Sequence, residues 1–245
     1  VSVGPVATAV LAVHIAAALA ATAAGGAALA ARKGSRVHAR AGGLFVPAML
    51  VMYGAGIAYV ALDPTPDPIL AVAAVIGAYL VATAARAARR RDGCAGRFEL
   101  AAFGVALACL VASLAFMALA LGSPSGRFYG HGAATIAPNI VFAGTAVILD
   151  LSFLIRGTLK RNQRIARHVW RIGVAMLMVT FSTFAGDQAQ KVFPDAIRGS
   201  FLLTLPALAV VAAVIFWLLR LRFARAWRRS ERPPAPDGAV AADTA

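Results

Sequence analysis

The sequence predicts an all-α, polytopic membrane protein of seven transmembrane helices, with its N-terminus outside and its C-terminus in the cytoplasm. Three observations carry that expectation. The 245 residues are 60% hydrophobic and only 14% charged, with a mean hydropathy of +0.77; a soluble domain is nearer half apolar and about a quarter charged. Seven stretches approach or exceed the roughly 20 apolar residues needed to cross a bilayer. The basic residues also gather in alternate connectors between those stretches, which is the pattern that fixes orientation in a membrane.

The stretches run over roughly 5–31, 40–62, 68–88, 98–121, 132–155, 168–187 and 200–221. They are too long and too uniformly apolar for the alternating strands of a membrane barrel, which run to about 10 residues. Helices remain, because lipid cannot satisfy the backbone's polar groups. Helix 1 is rich in alanine, with Gly25 and Gly26 near its end. Small residues let helices approach closely in lipid, so it is expected to be a tightly packed member of the bundle. A signal peptide is disfavoured, because the charges follow this apolar run instead of preceding it. The segment ARKGSRVHARAGG (31–43) turns the chain into helix 2. DPTPDP (63–68) breaks between helices 2 and 3, and GSPSG (122–126) follows helix 4. Helix 6 is the least hydrophobic, carries Thr180, Ser182 and Thr183, and is expected inside the bundle. After helix 7, LRLRFARAWRR (219–229) alternates arginine with apolar residues, a pattern suited to anionic lipid headgroups. Residues 1–229 thus form the membrane domain. The Pro- and Ala-rich segment 230–245 is expected to be a disordered cytoplasmic tail.

The net charge of +14 would by itself suggest nucleic acid, but its placement argues otherwise. With seven spans, 21 of the 24 basic residues fall on one side. Only Arg127, Lys191 and Arg198 fall on the other, together with Asp63, Asp67, Asp187 and Asp195. The basic side is read as cytoplasmic, and its partner as the bilayer with its anionic lipid. Nucleic-acid binding is not expected.

No Walker, HExxH, EF-hand or paired-carboxylate pattern is present, so no catalytic residue is assigned. Cys94 and Cys109 lack any zinc, haem-attachment or disulfide spacing. Retinal needs an intramembrane lysine, and Lys33, Lys160 and Lys191 all lie in connectors. The polar residues that stand out are four histidines and one carboxylate. His14 lies nine residues after Pro5, about 14 Å into helix 1. His38 and His168 open helices 2 and 6 from the basic side. Below them run His38, Gly42, Phe45, Met49, Met52 and Gly56 on one helix, and His168, Arg171, Ala175, Met178 and Ser182 on the other. His131 starts helix 5 at the opposite end. Asp150 sits in the inner half of helix 5, where a lone charge is expensive; a structural ion pair with Arg40 or Arg171 is expected.

The residues His14-Ile15, Gly25/Gly26, Arg32-Lys33-Gly34, His38 and Gly42 resemble a family of uncharacterised bacterial predicted membrane proteins. These carry a histidine in the first helix and an R-K-G-x-x-x-H-x-x-x-G turn before the second. The resemblance implies a bacterial inner-membrane location and brings no activity with it. Three functional classes stay open. The first is binding of a small molecule or lipid within the bundle, the default meaning of an intramembrane polar site. The second is b-type haem electron transfer, with His38 and His168 ligating one iron near the inner face and His14 and His131 forming an outer pair. The third is small-solute transport, which helices broken at Pro47 or Pro138 would favour.

Overall fold

The computed structural model describes residues 4–90, 92–186 and 193–230, with side chains as far as residue 223. The described chain forms seven long helices: α1 (Pro5–Ala30), α2 (Arg36–Leu62), α3 (Pro68–Arg89), α4 (Arg97–Gly122), α5 (Ala133–Arg156), α6 (Arg161–Phe184) and α7 (Leu205–Ser230). A single 3₁₀ turn, Phe201–Thr204, leads into α7. Two short strands, β1 (Arg127–Phe128) and β2 (His131–Gly132), pair antiparallel between α4 and α5. All of α1 to α5, and the stretch Phe201–Phe223 of the last helix, are long and apolar enough to cross a membrane. The chain is a multi-pass membrane protein.

Local chemistry sets the helix ends. Ser35 caps α2 by accepting the His38 N–H at 3.2 Å, so that helix begins four residues before its apolar run. Asp67 caps α3, accepting from Ile69 and Leu70, with Pro68 in the first turn. Gln163 reaches back to the Lys160 N–H at 2.9 Å, and α6 therefore starts seven residues before the expected span. Gly157 closes α5 in the left-handed region. The hairpin is the one element the sequence reading lacked. Tyr129 and Gly130 both take positive φ, as a tight two-residue turn requires, and Phe128 stacks on Phe116 at 5.5 Å.

Contacts between connectors fix the up-and-down order. At the arginine-rich end, the α3–α4 and α5–α6 loops exchange backbone hydrogen bonds: Ala95 donates to Gly157 at 2.8 Å and Leu159 to Gly93 at 2.9 Å. At the same end Lys33 lies 5.4 Å from the Trp217 ring of α7. At the opposite end His131 reaches Asp67, joining the α2–α3 and α4–α5 connectors at 2.6 Å.

The helices α3 and α6 are central. The first touches α2, α4, α5 and α6; the second touches α1, α3 and α7. The core between them holds Phe45, Met49, Met52, Tyr53, Ile76, Tyr79, Leu80, Met176 and Val179. Helix α1 packs closely, as its small residues lead one to expect: it runs along α2 and touches α6, and because it buries only Ala17, Ala21 and Gly25 it lies on the outside of the bundle. Its small residues serve one close seam. A Cβ built on Gly25 would stand 2.3 Å from the Met176 sulfur and 2.9 Å from Phe45. The buried stripe of α6 is also rotated from the expected one. It runs through Arg167, Arg171, Ala175, Met176 and Val179, while Met178 is half-buried and Ser182 exposed. Burying two arginines against a carboxylate turns the helix that way. Both prolines sit within unbroken helices, Pro47 in α2 and Pro138 in α5, so the discontinuity that would favour a transporter is not found there. The segment expected to be disordered, 230–245, lies outside the described residues except for Ser230, as do Asp187 and Lys191.

Candidate functional site at the arginine-rich end

An apolar bundle can hold a charge only beside its counter-charge. Asp150 of α5 meets this condition twice over. One carboxylate oxygen accepts from Arg171 and, at 2.6 Å, from Arg167, both on α6. The other oxygen accepts the Tyr79 hydroxyl of α3. Asp150 and Arg171 are 1% and 0% exposed, and Arg167 is 9% exposed. Arg167 and Arg171 are four residues apart, so one helix face presents both. Aromatic rings hold them in place. The Arg171 guanidinium lies 5.1 Å from the Tyr79 and Trp170 rings, and that of Arg167 4.8 Å from Phe153. Two cations thus share one carboxylate. Among the described residues, Nε and Nη1 of Arg171 are buried without a hydrogen-bond partner.

Arg167 also lines an open cleft at the arginine-rich end, bounded by α3, the start of α4 and the loops that follow α3 and α5. Its polar walls are Arg86, Arg90, Arg164, Asp92 and Glu99; Phe98 and Phe153 are apolar neighbours. Arg86 pairs with Glu99 at 2.5 Å, and Glu99 also accepts the Gly96 N–H at the start of α4. Arg90 pairs with Asp92. The hydrogen bond from Arg90 holds the Asp92 carboxyl below its ordinary range. Arg164 donates to the Arg90 carbonyl and, among the described residues, has no carboxylate of its own. The loop-to-loop seam below the cleft needs Gly93. Its φ is +66°, and a Cβ there would stand 2.6 Å from the Leu159 carbonyl oxygen. Nearby, Lys33 donates to the Ala28 and Leu29 carbonyls at the end of α1, and partial burial lowers its pKa.

Of the two arginines expected beside Asp150, Arg171 is the one that meets it. Arg40 is exposed near the start of α2 and forms no ion pair with a described residue. Arg167 and Tyr79 were missed. The first reads as one more connector arginine, although its four-residue spacing to Arg171 is visible. The second is a lone tyrosine in an apolar run and gives no signal.

The histidines divide differently from the expected pairs. Nδ1 of His14 lies 2.8 Å from the Met52 carbonyl, that of His38 2.9 Å from Ala28, and that of His168 3.0 Å from Ala84. A carbonyl only accepts, so each Nδ1 donates, and in a neutral ring the proton-free nitrogen is then Nε2. Gly56 makes room for His14; a Cβ there would stand 3.2 Å from the ring. His38 and His168 lie within electrostatic reach of each other, on helices that both flank α1 and α3. His14 and His131 are not brought together in this way. His14 belongs to α1 and docks on α2, whereas His131 uses Nε2 on Asp67 beside α3. No group of three or more histidine, cysteine, aspartate or glutamate side chains among the described residues could hold a metal ion. No family model matches the chain, and no curated protein or solved structure matches it either.

Proposed function

We propose that the protein is a seven-span inner-membrane protein of bacterial type that binds a small molecule or lipid within its helix bundle. Its N-terminus is outside, and the arginine-rich end faces the cytoplasm and its anionic lipid. The observation that carries the binding reading is the shared carboxylate. Two buried arginines converge on Asp150, two Arg171 nitrogens are left without a hydrogen-bond partner among the described residues, and Arg167 connects that cluster to an open cleft. Buried polar groups without partners are rare in folded proteins. A purely structural ion pair needs only one arginine, whereas a ligand site has use for the second. The seventh span is α6. It is about 36 Å long at 1.5 Å per residue, enough to cross, and Arg167 and Arg171 face protein instead of lipid. The charge segregation supports the orientation, since 21 of 24 basic residues share one side only if α6 crosses.

Native mass spectrometry of the full chain, released from lipid nanodiscs, tests the reading. A bound species is expected in the wild type and lost in Arg167→Gln. A wild type that flies without any adduct contradicts it.

A second reading is favoured by the histidines. Fixing Nδ1–H on a backbone carbonyl is how metal-ligating histidines are oriented, with Nε2 turned to the metal. His38 and His168 meet that condition on two neighbouring helices, with Phe45, Met49 and Met176 as buried apolar residues deeper in the same core. On this reading they ligate one b-type haem. The purified protein then shows a Soret band that His38→Ala or His168→Ala removes; a colourless protein from haem-replete cells contradicts it.

A further inference from the structure

We propose that the cleft at the arginine-rich end is a site for a phosphate-type oxyanion, carried on a lipid headgroup or on a free small molecule. This rests on the reading that the Asp150 cluster and its cleft form a ligand site, and it names the chemistry of that ligand. The charges argue first. Among the described residues, the cleft and the cluster behind it contain five guanidinium groups: Arg86, Arg90, Arg164, Arg167 and Arg171. Three carboxylates answer them, Glu99, Asp92 and Asp150. Two positive charges remain in excess where apolar helices begin, and an unpaired cation there is costly.

The donors argue next. Arg164 is half-buried, and among the described residues its guanidinium hydrogen-bonds to a neutral carbonyl alone. Arg167 lines the cleft while nine-tenths buried, and Arg171 behind it has two nitrogens without a hydrogen-bond partner among the described residues. A guanidinium matches the oxygens of a phosphate with two parallel N–H bonds, where a lysine would offer only a point charge. The site is also held ready. Arg86 and Arg167 lie against the Phe98 and Phe153 rings at 4.4 and 4.8 Å, so their planes are fixed before any ligand arrives. The two loops are tied by Ala95–Gly157 and Leu159–Gly93 hydrogen bonds, through a glycine whose conformation and contact exclude a side chain. The cleft is open at this end, so an anion can enter it. Its mixed lining, arginines beside two phenylalanines, suits an anion attached to an apolar body.

The full-length protein is titrated with inorganic phosphate in a neutral detergent, at constant ionic strength held with chloride. In parallel it is placed in nanodiscs of phosphatidylcholine alone or with added phosphatidylglycerol. Thermal unfolding is read by tryptophan fluorescence in each case. Arg164→Gln is the test variant, because it breaks no ion pair in the fold, and exposed Arg36→Gln is the control. A saturable rise in melting temperature with phosphate, its half-saturating concentration raised about tenfold by Arg164→Gln and unchanged by Arg36→Gln, supports a free anion. A rise seen only with phosphatidylglycerol, with the same dependence on Arg164, supports a lipid headgroup. No rise in either arm, or a rise that Arg164→Gln leaves intact, overturns the proposal. If the native spectra then show a neutral ligand lost in Arg167→Gln, the binding reading survives and only its anionic chemistry fails. If the spectra are empty as well, both fail.

Discussion

Replacing Asp150 by asparagine probes the buried cluster with little change of shape. The carboxylate is 1% exposed and holds Arg167, Arg171 and Tyr79 at once. The substitution keeps one oxygen that can accept a hydrogen bond, but it removes the only negative charge beside two buried cations. Breaking a buried ion pair by removing one partner costs about 3–5 kcal/mol. The retained acceptor favours the lower end, about 3 kcal/mol. For a domain of this size, each kcal/mol moves the melting temperature by about 2–4 °C, so a fall of about 6–12 °C is expected. The assay is thermal unfolding in detergent, followed by the fluorescence of Trp170, whose ring lies 5.1 Å from the Arg171 guanidinium. The double variant Asp150→Asn with Arg171→Met removes one of the stranded cations. It is expected to melt higher than the sum of the two single effects, because the residues share one network. A neutral Asp150→Asn, or strictly additive losses, would refute a cluster held by charge.

Further outcomes follow from the close seams and the exposed pair. Gly77→Ala places a Cβ about 2.1 Å from the Tyr53 ring, inside contact distance, so it should destabilise by about 1–3 kcal/mol in chemical unfolding. Gly104→Ala, which meets nothing within 4 Å, should be neutral or slightly stabilising in the same experiment. The Asp92 carboxyl has a folded pKa below its ordinary value of 3.8. Its contribution is therefore present above 3.8 and lost as the pH falls through the lowered value. Arg90→Gln should abolish that acid-side loss and leave the pH profile from 6 to 8 unchanged.

Spans and charge placement are the features most legible from composition. Lipid demands long apolar runs, and the runs coincide with helices; α2 and α6 start early where Ser35 or Gln163 supplies a cap outside the apolar stretch, and the last helix starts after a 3₁₀ turn and runs on to Ser230. The Asp150–Arg171 contact could be anticipated because a carboxylate at that depth requires a cation, and few were near enough. The choice between Arg40 and Arg171 could not be read from the chain. It depends on which helix faces α5, and that is a property of the bundle. Tyr79 was hidden for the same reason: only the packing of α3 beside α5 turns its hydroxyl onto Asp150. The alanine content of α1 signalled close packing, which the seam with α2 shows, but not which neighbour it would take. The carbonyl partners of the histidines also lay beyond sequence reasoning, because a backbone oxygen leaves no trace in residue identity.

The proposed binding site lies inside the membrane and opens to the cytoplasm only if α6 crosses it, although among the described long helices this one is too polar to qualify on hydropathy. Topology reporters fused on either side of α6 test that directly. A fusion after Arg161 should read as cytoplasmic and one after Arg198 as external, with fusions after Asp63 and Ser123 external and those after Arg36 and Arg90 cytoplasmic as internal references. If the fusions after Arg161 and Arg198 report the same side, α6 does not cross, and the seven-span protein with a cytoplasm-facing arginine cleft is contradicted.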